Sequence, residues 1–199
     1  FVGNGHNYIL NQGLIFNVTL AFFKRSFLME NNLKFLNYTI AEDFLFFTSV
    51  LLLNPAIIST SYNIYRYIVH ENSITTTRSS KQAQKCVHDY LSVMKNIQQQ
   101  LSNINDKAQS IYNIYTKAMN LNSFYIYKKI LIANYSTSTY TSIINEFKKA
   151  KLLPIIHTGT NLKCIIGYSI INILTYIPIL YKPTSFIYNR ILAKYILKL

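Results

Sequence analysis

Two adjacent carboxylates, Glu42 and Asp43, stand between an aliphatic approach and an aromatic exit in the run Thr39-Ile40-Ala41-Glu42-Asp43-Phe44-Leu45-Phe46-Phe47. The 199 residues hold only seven acids, and nowhere else do two of them touch. Burying a carboxylate among apolar side chains is costly unless it is hydrogen-bonded, metal-bound or kept for chemistry. The run therefore constrains the fold, because the acids must sit at the polar end of an element whose continuation is buried. A helix start meets this condition, with both acids in the first turn facing the positive end of the dipole and Phe44, Phe47 and Leu51 on a core stripe. A site for acid–base chemistry meets it too, and the two readings are compatible.

Half of the residues are hydrophobic and 15% are aromatic, enough to bury a core in one full domain or two small ones. The formal charge of +13 has two readings, an anionic partner or, in part, the codon bias that also makes Asn, Ile and Tyr abundant. Nucleic acid is not expected, since Lys and Arg are spread thinly and no zinc spacing or RNP-like motif occurs. An anionic membrane surface or a phosphorylated substrate fits better. Cys86 and Cys164 lie far apart in apolar helical patterns and read as buried free thiols, with no metal implied. The first residue is Phe1, and no charged leader with an apolar core follows it, so the chain reads as a piece of a longer one.

Along the chain, Phe1 to Gly13 is polar, and Gly3-Asn4-Gly5 reads as a turn, too short for a phosphate fingerprint. Phe16, Leu20, Phe23 and Phe27 recur at three or four, which predicts a helix over Leu14 to Met29 with Lys24-Arg25 on its polar side. The apolar helix after Glu42-Asp43 is expected to reach Leu53 and stop at Asn54-Pro55. Ala56 to Tyr67, rich in Ile, Tyr and Thr, predicts one or two short strands.

Taken in order, Phe23-Lys24-Arg25-Ser26-Phe27-Leu28, Asn31-Asn32-Leu33-Lys34-Phe35, Glu42-Asp43-Phe44-Leu45-Phe46, Tyr65-Arg66-Tyr67 and His70-Glu71-Asn72-Ser73-Ile74-Thr75 resemble the carboxyl-terminal half of the catalytic domain of family-two glycosyltransferases, inverting enzymes of the GT-A fold. The resemblance covers roughly residues 16 to 77, under half of the chain. It implies that Asp43 is the general base that takes the proton from the acceptor hydroxyl and that Glu42 orients or polarises the site. Tyr65, Tyr67, His70 and Ser73 match a loop that approaches the donor diphosphate or the acceptor. Arg66 departs from the commoner pattern, in which a basic residue follows the second Tyr; Ile68 stands there. On the residues alone, Tyr65 and Tyr67 also suit one face of a half-buried strand, and His70 a solvated loop position.

The family neutralises its leaving nucleoside diphosphate with a divalent metal, Mg or Mn, held by an Asp-x-Asp motif. No Asp-x-Asp occurs in these residues, so the resemblance places it upstream with the nucleotide-binding strands, and this segment alone is expected to be inactive.

Past Thr77 the composition shifts to helix formers. Ser79-Ser80 is expected to cap a helix carrying Val87, Tyr90, Leu91, Met94, Ile97 and Leu101 on one face. Asp106 would cap a second with Ile111, Ile114, Tyr115, Ala118 and Met119, Phe124 to Ala133 forms a third, and Ser138 or Thr139 starts a fourth ending near Lys151. After Glu146 there is no further acid, while Lys148, Lys149, Lys151, Lys163, Lys182, Arg190, Lys194 and Lys198 follow. Cys164 to Tyr181 carries no charge and reaches the lower limit for a membrane span, roughly eighteen residues. Ser169, Asn172 and Thr175 form a polar line and Pro178 interrupts the run, so an interfacial amphipathic helix suits it better than a buried core helix or a span.

The sequence thus predicts an α/β class, mostly α in this fragment: the carboxyl-terminal portion of a GT-A domain over 1–77, a helical subdomain over 78–160, and a basic, membrane-facing tail over 161–199. By resemblance, a nucleotide-sugar donor gives its sugar to a glycan or lipid-linked acceptor in bacterial surface polysaccharide synthesis, at the cytoplasmic, inner face of the membrane. The alternative is a non-catalytic helical protein that binds membranes, in which Glu42-Asp43 is only a helix start.

Overall fold

The computed structural model describes residues 1–62, 65, 66, 68, 79–104, 109–156 and 162–192. Their order is β1 (Val2–Asn4), α1 (Gly5–Gln12), α2 (Arg25–Glu30), α3 (Glu42–Leu52), β2 (Ala56–Ile58), α4 (Ser80–Ser102), α5 (Gln109–Ala133), α6 (Thr137–Lys149), α7 (Leu162–Tyr176) and α8 (Tyr181–Ile187). The chain is mostly helical, as expected, and among the described residues β1 and β2 form its one sheet, ahead of residue 75. The Cα framework divides into a unit of Phe1–Ile74 with Ser92–Tyr115 and a unit of Thr75–Leu91 with Thr116–Leu199.

The first unit is built on α3. Phe44 through Thr48, Val50 and Leu51 are all buried, so this helix is covered on nearly every side rather than along one stripe. Rings reach it from the preceding segment: Phe16 meets Phe44 with centroids 4.6 Å apart, Phe23 meets Phe46 at 5.4 Å and Phe47 at 5.5 Å, and Phe35 stacks on Phe46 at 4.3 Å. These contacts correct the long helix expected over Leu14 to Met29. Asn17 accepts from the Thr19 amide and holds a single 3-10 turn at Val18–Leu20, and regular helix returns only at α2. Separate insertion of Phe16 and Phe23 onto α3 outweighs the weak local preference that their spacing signals.

A second correction concerns Gly3-Asn4-Gly5, which is no simple turn. Residues 2–4 pair antiparallel with β2, Val2 opposite Ile58 and Asn4 opposite Ala56, and the Asn4 side chain caps α1 by accepting from the Asn7 amide. Gly5 opens that helix against α3, where a Cβ would stand 2.5 Å from the Leu51 carbonyl oxygen and 3.0 Å from Pro55 Cδ. Backbone cannot yield as a flexible side chain does, so Gly5→Ala is expected to lower stability by about 1–3 kcal/mol, measured by urea unfolding.

In the second unit, α5 runs unbroken through Phe124 to Ala133, so the separate third helix expected there is its carboxyl-terminal half. Asp106 lies outside the described residues. Ser136, rather than Ser138 or Thr139, caps α6, accepting from the Thr139 amide. The carbonyls that a helix leaves unpaired at its carboxyl end are met here by side chains. Tyr181 donates to Ile130 O at 2.9 Å, Ser185 to Leu131 O at 2.7 Å, and Ser80 to Ala133 O at 2.6 Å.

Tyr181 also stacks on Tyr140 with centroids 4.0 Å apart, and the Tyr140 hydroxyl donates to Leu174 O while accepting from Tyr127. Burial pushes all three phenols upward, Tyr140 from the ordinary 10.0 to about 12. Phenols whose folded pKa is raised stabilise fully below the unfolded value near 10 and cease to do so as pH climbs through the folded value. Stability is therefore expected to fall between about pH 10 and 12, and Tyr140→Phe should flatten that limb in unfolding titrations.

Candidate functional site

The acids of the Glu42-Asp43 pair occupy the first turn of α3, where the helix dipole favours negative charge. The residue before them, Ala41, is left-handed with φ of 62° and ψ of 13°, and no side chain caps the helix. An alanine in that region costs roughly 1–2 kcal/mol relative to the right-handed form. Backbone held this way turns the chain sharply from the Ile40 approach into the helix. Both acids stay half-buried while Phe44 through Thr48, Val50 and Leu51 go inside. Asp43 Oδ2 accepts a long hydrogen bond, 3.4 Å, from the Val18 amide in the 3-10 turn. A carboxylate so held keeps most of its lone-pair capacity for another donor.

Beside α3, in the same unit, lies a cleft of about 800 Å³. Its walls include Tyr8 from α1, Phe22, Phe23, Lys24 and Phe27 from the segment around α2, Phe47, Val50 and Leu51 from α3, β2, and then Tyr62 and Tyr65. The pocket is thus mainly aromatic and aliphatic, with Lys24 as the one charged residue among the described walls. Pockets of this size with few polar groups suit ligands that bring their own apolar faces.

Of the residues singled out from the sequence, Tyr65 lines this cleft; Glu42 and Asp43 do not, although α3 supplies part of one wall. Arg66 is exposed and takes no part in those walls. Tyr67, His70 and Ser73 lie outside the described residues. Spacing places Phe23 on the apolar stripe of a helix and Lys24 on its polar side, and only the broken backbone after Val18–Leu20 turns both, with Phe22, to the cleft. The signal available in the sequence was Phe22-Phe23 itself, two adjacent rings that one helix stripe cannot both occupy.

No group of three or more His, Cys, Asp or Glu among the described residues is placed to hold a metal ion. Among the described residues the divalent ion implied by resemblance has no ligand set, and no step below passes through it. In comparisons with protein-family models, curated proteins and solved structures, the chain gives no match.

Proposed function

We propose that this chain is the acceptor-side portion of an inverting glycosyltransferase, with Asp43 as the base. One observation supports the reading: in a chain with seven acids, the only adjacent pair opens a deeply buried helix and itself stays half-buried behind a left-handed alanine. A rigid, buried helix fixes the position of the carboxylate, and the site needs such fixing because a general base works only within hydrogen-bond reach of the proton it removes. The acceptor hydroxyl attacks the anomeric carbon, its proton passes to Asp43, the bond from that carbon to the diphosphate oxygen breaks, and the nucleoside diphosphate leaves with inversion. Glu42, one residue on, orients the site.

The aromatic cleft, whose walls leave out Asp43, fits the part of an acceptor away from the reacting hydroxyl better than it fits a donor. A nucleoside diphosphate carries several negative charges, while the described walls offer Lys24 as their one cation. A glycan face, or the apolar part of a lipid-linked acceptor, finds partners in Tyr8, Phe22, Tyr62 and Tyr65. The setting that goes with this reading is the inner face of a bacterial cell membrane, in surface polysaccharide assembly.

A non-catalytic role is favoured by one observation, that Asp43 stands off the cleft and meets the helix dipole and the Val18 amide. The two are separated by assaying the complete enzyme, joined to its nucleotide-binding half, with a panel of nucleotide-sugars and glycan acceptors. Inverted product, read from the anomeric proton coupling, supports the transferase. Retention of configuration, or no transfer from any donor in the panel, removes it. Within the cleft, Tyr65→Ala is expected to raise the acceptor KM by about tenfold, the cost of losing one aromatic contact, with the donor KM unchanged.

A further inference from the structure

The polar line predicted along Cys164 to Tyr181 turns the opposite way from an ordinary solvent face. Asn172 is directed inward, its Nδ2 donating to Ile155 O at 3.0 Å and its Oδ1 accepting from the Ile155 amide at 2.8 Å. Thr175 is buried and donates to Asn172 O, while Lys148 donates to the Thr175 carbonyl at 2.8 Å with its ammonium over the Tyr176 ring. With the polar side chains spent on the protein, α7 presents the other face outward. Leu162, Ile166, Ile170, Ile173 and Ile177 recur at three or four, and Ile166, Ile170 and Ile173 are each about half exposed. Ser169 is the polar exception on that face.

The apolar surface continues past the helix end. The chain bends by 114° at Pro178, so no single described helix is long and apolar enough to cross a membrane. Around the bend Tyr176, Ile179 and Leu180 are exposed, followed by Phe186 and Ile187 on α8. Cations accompany them: Lys182 is exposed on α8, and the Arg190 guanidinium lies over the exposed Phe186 ring. No acid follows Glu146. A run of outward isoleucines is costly in water, and its setting among cations without acids is complementary to negative charge.

We infer that the outer face of α7 and α8 docks on an anionic lipid bilayer, with the isoleucines at acyl-chain level and Lys182 and Arg190 at the headgroups. Lying in the interface plane suits two short helices joined at a 114° bend, each shorter than a span. This holds whether or not the first unit transfers sugar, because lipid binding is read without any donor.

The test is co-sedimentation of the full chain with vesicles of phosphatidylcholine, pure or with about one-third phosphatidylglycerol. Binding to the mixed vesicles is expected to exceed binding to neutral ones at least about tenfold, and to weaken as salt rises from about 0.1 to 1 M, where the screening length falls from about 10 to 3 Å. Ile170→Asn with Ile173→Asn removes outward apolar surface and leaves the hydrogen bonds of Asn172 and Thr175 in place. It should cut binding by at least about tenfold while thermal unfolding stays unchanged. Lys182→Gln with Arg190→Gln should remove most of the salt dependence. Equal binding to both vesicle types, or indifference to the isoleucine pair, overturns the inference. So does a dimer in light scattering that this pair dissolves, which would assign the face to a second copy.

Discussion

If Asp43 is the base of the proposed transferase, Asp43→Asn is expected to lower the rate of sugar transfer by about 10²–10⁴-fold, roughly 3–5 kcal/mol of barrier, with donor affinity retained. Asparagine matches the side chain in size and still accepts from the Val18 amide, so the local geometry at the start of α3 is kept. What it lacks is basicity, and an acceptor alcohol without a base is a poor nucleophile. The alternative has a different signature, since an acid that only meets a helix dipole contributes no more than about 1 kcal/mol of stability and nothing specific to rate. Single-turnover transfer and thermal unfolding of the same variant therefore separate the two. Near-normal turnover removes Asp43 as the base, and unfolding without a specific rate loss makes the pair a helix start. Glu42→Gln is expected to cost less than Asp43→Asn, because an orienting group accepts no proton.

Asn120→Ala is expected to destabilise the second unit by about 3–5 kcal/mol. Asn120 is buried on α5, and its amide serves three backbone groups of the irregular stretch after α6. Nδ2 donates to Leu152 O at 3.2 Å and to Pro154 O at 2.8 Å, and Oδ1 accepts from the Ile156 amide at 2.7 Å. That stretch carries Leu152, Leu153 and Ile155 into the core. A single side chain thus replaces the ladder that a helix or sheet would have supplied to these groups. Alanine strands two carbonyls and an N–H, each worth about 1–3 kcal/mol when left dry, with some relief from entering water. Because Asn172 binds the same stretch through Ile155, the double variant with Asn172→Ala should cost less than the sum of its parts. Urea titration reads both effects, and a loss below about 1 kcal/mol for Asn120→Ala would show that water satisfies these groups as well as the amide does.

Long periodic segments were legible in the sequence. The start of α4 at Ser79-Ser80, the core face from Val87 to Leu101 and the stop of α3 before Asn54-Pro55 all rest on local signals strong enough to survive folding. Glu42-Asp43 as the polar end of a buried helix was legible for the same reason: desolvating two carboxylates leaves few other solutions. The irregular parts were not. Whether Phe16 and Phe23 share a helix face depends on whether α3 offers each ring a separate seat, and spacing along the chain carries no record of that.

Composition and pattern by themselves determined a mostly helical, strongly basic chain with an acid pair at one helix start and an uncharged, proline-broken run near its end. Tertiary structure decided which side of that run faces out. Read alone, Asn172 and Thr175 mark a polar side; packed against residues 155 and 148, they become interior partners and leave the isoleucines outside. The cleft beside α3 is likewise a tertiary product, assembled from α1, the broken segment before α2, α3, β2 and Tyr65. The physical reason is common to both. Periodicity fixes which side chains share a face, but a polar face is satisfied as well by a buried backbone amide as by water, and only the packing partner decides between them.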